Sequence, residues 1–206
     1  MQPRREDYIT TFSGRSVLPG ALQADDIWPE DVAHHLALQN RFAGATREPY
    51  SVVQHCVLAS WMVSPSDEAD AFSHDHHEYI VTDVPTPLKR LEGLGRAYAA
   101  VEDSAERCMR HALGLPREPT TAVRRADYRL FLTERRDLID ADPGPWFDPF
   151  CAPWPNKVRP WGWRKAKRLF LARYRELFPT AAVPLQTALV ALELQYERRR
   201  FTRIPR

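Results

Sequence analysis

Two histidines and two aspartates in this chain are of the types that hold a divalent metal ion. His74 and Asp75 are adjacent, His55 lies earlier in the sequence, and Asp127 lies later. Two imidazoles and two carboxylates form a mixed nitrogen and oxygen ligand set, which suits Zn, Co, Mn or Fe. A site of this kind that keeps positions open can hold a water molecule and a substrate oxygen together. These residues therefore predict a catalytic metal site, with a buried hydrogen-bonded network as the alternative.

The hydrophobic pattern places the first three of these residues on helices. Val52, His55 and Ala59 share one helical face, which puts a histidine among the inward positions of a helix over residues 51–62. His74 and Asp75 fall within another helix, predicted over residues 68–80. The helices must therefore bring distant parts of the chain together to form the site.

The whole chain reads as all-α, because strand signals are nearly absent. A length of 206 residues with 44% hydrophobic content is enough for one domain with a full core. We expect this core over about residues 8–140, followed by an arm and C-terminal helices over about 141–206. The predicted helices cover residues 30–40, 51–62, 68–80, 91–113, 121–139, 162–178 and 185–200.

The segment 142–163 is too rich in proline for a helix and too aromatic for a disordered linker. Its tryptophans are Trp146, Trp154, Trp161 and Trp163. A packed arm is the favoured interpretation, and a lid or a subunit interface are the alternatives. In the last predicted helix, Leu185, Leu189 and Leu192 lie along one side, which could join subunits.

Charge and composition exclude several classes of protein. The formal net charge of +2 is a small difference between 29 basic and 27 acidic residues, so neither a stable nucleic-acid partner nor a membrane is predicted. The sequence has no apolar run of membrane-spanning length and no signal-peptide pattern, so we expect a cytoplasmic protein. The cysteines are distant from one another and are expected to be reduced thiols: Cys56, Cys108 and Cys151.

The order of His55, His74-Asp75 and Asp127 resembles the H…HD…D signature of HD-domain phosphohydrolases. The chain is similar to bacterial 5′-deoxynucleotidases and phage dATP triphosphohydrolases over roughly residues 8–178. The resemblance implies a single HD-domain helical bundle, a deoxynucleotide substrate and a homo-oligomer. It is carried by the four metal-ligand residues and by flanking segments, namely Arg41-Phe42, Tyr50 to His55, His74-Asp75-x-x-Glu78 and Asp83 to Lys89.

The same resemblance implies roles for residues around the metal. Glu78 and Asp83 would assist proton transfer, while Arg41 and Lys89 would lie near the phosphate. The spacing agrees for Glu78, because a residue three positions after Asp75 can share its helical face. Arginine also suits bidentate contact with phosphate.

Four further residues have two interpretations each. Ile27 and Trp28 precede the first long helix, and they could stack on a nucleobase or form an apolar staple at the helix entry. His76 and His77 follow the HD pair, where relatives have small residues. We expect both histidines on a solvated helix side, although His77 could reach a second metal ion or the substrate.

The predicted function is hydrolysis of a deoxynucleotide phosphate bond with a divalent metal, and with Mg as a further ion on the phosphates. A monophosphatase would release a deoxynucleoside and phosphate, whereas a dATP enzyme would release a deoxynucleoside and triphosphate. The setting would be a bacterial cell or a phage-infected host. The alternatives are a non-catalytic nucleotide-binding module and an HD hydrolase of cyclic nucleotides or alarmones.

Overall fold

The computed structural model describes residues 4–139, 148–181, 183 and 188–203. These residues are mostly helical, and their only strands are the two-residue antiparallel strands β1 (Ile9–Thr10) and β2 (Ser16–Val17). The all-α prediction is therefore confirmed. The helices are α1 (Pro29–Leu38), α2 (Val52–Ser60), α3 (Glu68–Ser73), α4 (Glu78–Val81), α5 (Thr86–Lys89), α6 (Leu94–Ala112), α7 (Thr121–Leu138), α8 (Trp163–Leu177) and α9 (Ala188–Thr202).

Helix α2 lies at the centre of the bundle. Every residue from Val52 to Ser60 is buried, because α1, α3, α7 and α8 all pack against this helix. Val52, His55 and Ala59 are buried as predicted, but they do not form a single inward face. A helix that is enclosed on all sides can be apolar around its whole circumference.

The chain makes a turn at residues 74–77, between α3 and α4. The prediction of one continuous helix over residues 68–80 is wrong at this point. The amides of His76 and Glu78 donate to carbonyls three residues earlier, at 3.0 and 3.1 Å, and this winding is tighter than that of an α-helix. The tighter turn changes the directions in which the following side chains point.

The expectation that His76 and His77 lie on a solvated side is also wrong. These residues are 0% and 6% exposed, respectively. His76 packs against the rings of Phe72 and Phe170, with centroid distances of 4.8 and 4.9 Å. Burial lowers the pKa of His76 to about 3. His76 is therefore a neutral ring of the core.

Residues 148–162 form an arm that packs on the bundle, in agreement with the favoured interpretation. The amide of Trp161 donates to Gln54 Oε1 at 2.7 Å, and the Gln54 side chain donates back to a carbonyl of the arm at 2.8 Å. Trp154 Nε1 donates to the carbonyl of Phe201 at 2.9 Å. The arm thus connects α2 with α9.

Two features of the predicted C-terminal region fall outside the described residues. They are Trp146 and Leu185, the first residue of the last predicted helix. In the described part, α9 begins at residue 188 and carries Leu189 and Leu192 with exposures of 75% and 61%. These two leucines point away from the core.

The described helices and the three cysteines bear on the expected absence of a membrane span and on the expected reduced thiols. None of the described helices has both the length and the apolar character needed to cross a bilayer. The three cysteines are free thiols, of which Cys56 is buried while Cys108 and Cys151 are half-buried.

Candidate metal centre

The four predicted metal ligands meet at one point in the structure. His55 Nε2 lies 3.1 Å from His74 Nε2 and 3.6 Å from Asp75 Oδ2. Asp127 Oδ1 lies 3.1 Å from the Nε2 atom of His55 and 3.7 Å from that of His74. Metal bonds of about 2.0 Å in a tetrahedral site place neighbouring donor atoms about 3.3 Å apart. The spacing of His55, His74 and Asp75 therefore fits a single ion, and Asp127 lies next to both imidazoles.

Different helices supply these ligands, and the N-terminal cap of α7 also contacts the start of α3. His55 lies in the middle of α2, Asp127 lies on α7, and the pair His74–Asp75 directly follows α3. Thr120 caps α7, since its hydroxyl accepts from an amide of the first turn at 3.2 Å. The same hydroxyl donates to Asp67 Oδ1 at 2.9 Å. The cap thus holds the start of α7 against the start of α3.

A buried ion pair holds α3 against α6. Arg110 Nη2 donates to Asp70 Oδ1 at 2.8 Å, and the two side chains are 2% and 4% exposed. The second oxygen of Asp70 accepts from the amide of Thr120 at 3.3 Å. Asp70 therefore fixes three elements together about one helical turn before His74.

The Nε2 atoms of His55 and His74 face the proposed metal ion, and the Nδ1 atom of each imidazole contacts a supporting oxygen atom. His55 Nδ1 lies 2.6 Å from Glu134 Oε1, and His74 Nδ1 lies 2.7 Å from the carbonyl oxygen of Ala71. A carbonyl can only accept, so Nδ1 of His74 carries a proton. A neutral ring protonated at Nδ1 presents the lone pair of Nε2, as metal-bound histidines do. The donor atoms and their supports therefore fit a divalent ion.

Glu134 supports the centre but belongs to none of the predicted motifs. Its side chain is fully buried and accepts from Tyr50 at 2.8 Å and from Arg41 Nε at 3.1 Å, besides its contact with His55. Burial opposes ionisation, but the charges of Arg41 and His55 outweigh it and hold the pKa of Glu134 below its usual value. Glu134 follows Asp127 by about two helical turns, and this spacing is the signal that could have indicated it.

Opposite charges stabilise one another within the centre. Burial alone would lower the pKa of His74, but Asp75 and Asp127 raise it to about 9. Burial likewise favours the neutral form of Asp127, but hydrogen bonds from His55 and His74 hold its pKa well below the usual range. Asp127 is therefore a carboxylate at neutral pH and is available to a cation.

Glu78 and Asp83, the predicted proton carriers, both interact electrostatically with Asp75. Glu78 is 5% exposed, and its Oε2 has no hydrogen-bond partner in the described part of the chain. Burial and then the charges of Asp75 and Asp83 raise the pKa of Glu78 well above its usual range. Burial also raises the pKa of Asp83. Carboxyl groups with raised pKa values suit general acid-base catalysis near neutral pH.

Arg41 and Lys89, the residues expected near a phosphate, both contact carboxylates. Arg41 Nη1 lies 3.3 Å from Asp75 Oδ2, while its Nε bonds Glu134. Lys89 Nζ lies 2.5 Å from Glu102 Oε1. Arg41 thus connects a ligand of the centre with the carboxylate that supports His55.

A cavity of about 220 Å³ opens beside the metal centre. Its wall includes His74, Asp75, Asp127, Glu78 and Lys89, so the metal centre can be reached from this cavity. Other residues on the wall belong to no predicted motif, and they come from the turn after α3, from α6 and from the start of α7. They are His77, Glu102, Asp103, Glu106, Pro119, Val123 and Arg124.

Ile27 and Trp28 line a different cavity, of about 360 Å³, together with Tyr174 and Phe178. The guanidinium of Arg15 lies 4.7 Å from the centroid of the Trp28 ring. None of the four metal ligands belongs to the wall of this second cavity. The structure therefore does not bring Ile27 and Trp28 to the metal centre.

Comparisons with known proteins identify relatives. No family model matches the chain. The chain is 39% identical to the uncharacterized protein YfdR of Escherichia coli (strain K12) over 131 residues, which are 64% of this chain and 72% of YfdR. It is 30% identical to an uncharacterized protein of Rhodobacter capsulatus over 110 residues, which are 49% of this chain and 55% of that protein. The chain thus belongs to the same family as YfdR.

Proposed function

We propose that this chain is a metal-dependent phosphohydrolase of the HD superfamily that acts on deoxynucleotides. The convergence of His55, His74, Asp75 and Asp127 beside an open cavity carries the proposal. Buried Glu78 on the same wall adds a group that can exchange protons. The order of the ligands along the chain supports the HD superfamily, and the flanking motifs support a deoxynucleotide.

Two imidazole nitrogens and two carboxylates favour Zn, Co, Mn or Fe at this centre, while Mg prefers an all-oxygen environment such as the substrate phosphates. When bound, such an ion would polarise a phosphoryl oxygen and activate water. Glu134 and the Ala71 carbonyl orient the two imidazoles for this task.

The surrounding residues bind the substrate and move protons. Glu78 and Asp83 are the proton carriers, because burial raises both pKa values toward the range where a carboxyl group can accept and donate. Arg41 holds Asp75 in position and adds positive charge behind it. Lys89, on the cavity wall, offers its ammonium group to a phosphate. We expect the reaction to take place in the cytoplasm of a bacterial or phage-infected cell.

Product analysis by chromatography tests the proposal. The protein is loaded with Mn, Co, Zn or Mg and incubated separately with each dNMP, each dNTP, the ribonucleotide counterparts, cyclic nucleotides and alarmones. Deoxynucleoside and phosphate would indicate a 5′-deoxynucleotidase, whereas deoxynucleoside and triphosphate from dATP would indicate a triphosphohydrolase. Turnover of cyclic nucleotides or alarmones alone would show that they, and not deoxynucleotides, are the substrates. No turnover with any metal would contradict the enzyme and favour a nucleotide-binding module.

Two substitutions separate metal binding from proton transfer. Asp75→Ala should remove both the activity and the ion at His55, His74 and Asp75, because it removes a ligand of that ion. Glu78→Ala should keep the ion at His55, His74 and Asp75 but lower turnover by about 10²- to 10⁴-fold, the usual contribution of a general acid or base. Metal content and kcat are the measurements, with the exposed Glu48→Ala as a control. Normal turnover in Glu78→Ala would exclude its proposed role.

A further inference from the structure

A second group of metal-ligating residues lies in the same cavity. One ligand atom each from His77, Glu78 and Glu102 lies within 4.8 Å of the others. All three residues line the cavity, and neither His77 nor Glu102 belongs to the HD signature. From this geometry we propose that His77, Glu78 and Glu102 bind a second divalent cation.

Unpartnered polar atoms give independent support for a cation at this point. Glu78 and His77 are 5% and 6% exposed. Glu78 Oε2 and His77 Nδ1 have no hydrogen-bond partner in the described part of the chain. A buried polar atom without a partner is unfavourable, and a cation next to the Glu78 carboxylate would satisfy its oxygen.

The charge of the cavity wall also favours a further cation. Helix α6 contributes three carboxylates to the wall, namely Glu102, Asp103 and Glu106. A phosphate, which the proposed function requires in this cavity, would be repelled by these groups. A divalent ion beside Glu102 would reverse the local charge and attract the phosphate. This step of the inference rests on the proposed function, whereas the ligand geometry does not.

Lys89 already interacts with one member of the group. Its Nζ lies 2.5 Å from Glu102 Oε1, so the ammonium and a metal ion would compete for the same carboxylate. A bound ion would displace Lys89 from Glu102 and leave the ammonium available to the substrate. Removal of the ammonium should therefore strengthen metal binding, a result that a purely structural salt bridge would not give.

The ligand types indicate which ions fit. One imidazole with two carboxylates suits Mn, Zn or Co better than Mg, which prefers oxygen ligands and keeps its water shell. Mn²⁺ alone is therefore the probe of choice, because it also suits the mixed set of the first centre.

Titration of metal-free protein with Mn²⁺, followed by native mass spectrometry and calorimetry, tests the proposal. We expect two ions per chain in the unmodified protein and one in Glu102→Gln. Asp103→Asn is the matched control, since it removes a neighbouring carboxylate of the same helix and wall, and it should retain two ions. Lys89→Met should retain two ions and bind the second one more tightly. Glu78 is left unchanged because it has a role in the proposed reaction.

The outcomes distinguish this site from the proposed catalytic centre. Asp75→Asn should lose the first ion and keep the second. One ion in the unmodified protein, or two in Glu102→Gln, would overturn the second site while leaving the first intact. Binding of no ion at all would contradict both sites. Retention of the first ion in Glu102→Gln, together with its melting curve, verifies that this variant is folded.

Discussion

Glu134 holds the His55 imidazole from the side opposite the proposed metal ion. Glu134→Gln preserves the size of the side chain but removes the charge that balances His55 and Arg41. We expect metal affinity to fall about 10- to 100-fold, the usual effect of losing such a supporting carboxylate. Calorimetric titration with Zn²⁺ measures the Kd, with exposed Glu48→Gln as the control. An unchanged Kd would show that Glu134 does not position His55.

His76 places two ring nitrogens in an apolar environment without hydrogen-bond partners in the described part of the chain. Leucine has a similar volume and no polar atoms. His76→Leu should therefore raise the free energy of unfolding by about 1–3 kcal/mol, the usual cost of an unsatisfied buried group. Urea denaturation gives this value directly, and a decrease in stability would contradict the prediction.

The gain from His76→Leu should also depend on pH. The pKa of His76 is about 3 in the folded protein and 6.5 in its ordinary state. Between these values only the unfolded chain binds the proton, so His76 destabilises the native state increasingly as the pH falls below about 6.5. The difference between the two proteins should therefore be larger at about pH 5 than at about pH 7.5. An equal difference at both values would contradict the assigned pKa.

At the scale of residues, the four proposed metal ligands could be predicted from their side-chain types. The types and order of His55, His74, Asp75 and Asp127 are visible in the sequence, and the structure brings these residues together. Glu134 was not predicted, because its role comes from tertiary packing against residues far away in the chain. The burial of His76 was missed for the same reason.

Gly95 allows α6 to start directly against α5. A Cβ atom at this position would lie 2.0 Å from the carbonyl oxygen of Lys89 and 2.8 Å from its carbonyl carbon. A rotamer change cannot relieve a clash with backbone, so Gly95→Ala should displace Lys89 and destabilise the fold by about 1–3 kcal/mol. Thermal and urea denaturation measure the loss. Gly20→Ala is the control, since no atom lies within 4 Å of its added Cβ, and an equal effect in both variants would contradict the explanation.

At the scale of elements, most helices were predictable from their periodicity, but the turn at residues 74–77 was not. Phe72 and Tyr79 flank this turn and are seven positions apart, which is the spacing of one helical face, so the sequence over residues 68–80 is typical of one helix. The packing of His76 between aromatic rings favours the tighter winding. The short helix α5 lies outside the predicted helices, because it is only one turn long and contains Pro87.

The exposed side of α9 is a feature of the whole molecule. Leu189, Leu192 and Tyr196 are 75%, 61% and 62% exposed, and their spacing places them along one stripe. We expect a second copy of the chain to cover this stripe in the homo-oligomer that the resemblance implies. Leu192→Glu should reduce the molar mass to that of a monomer.

Light scattering after size exclusion measures this change. Leu91→Glu is the control, because Leu91 is also exposed, at 52%, but lies outside α9. A monomeric unmodified protein, or an unchanged oligomer in Leu192→Glu, would contradict the predicted interface.

At the scale of the molecule, the helical class followed from composition and periodicity, whereas the contacts between helices did not. Gln54 illustrates the difference, since its side chain binds the arm at Trp161, far along the sequence. No local pattern indicates such a pairing. The arm consequently packs behind the helix that carries His55 instead of closing over the cavity.

The 3.1 Å distance between the Nε2 atoms of His55 and His74 has a thermodynamic consequence. Two bare lone pairs at this distance repel each other, so protonation of the imidazoles stabilises the metal-free protein. Neighbouring carboxylates raise the pKa of both histidines, to about 9 for His74, so protons are bound here at neutral pH. Loading of the centre therefore releases protons, and the apparent metal affinity should rise with pH. Acid and metal thus compete for the same pair of nitrogens.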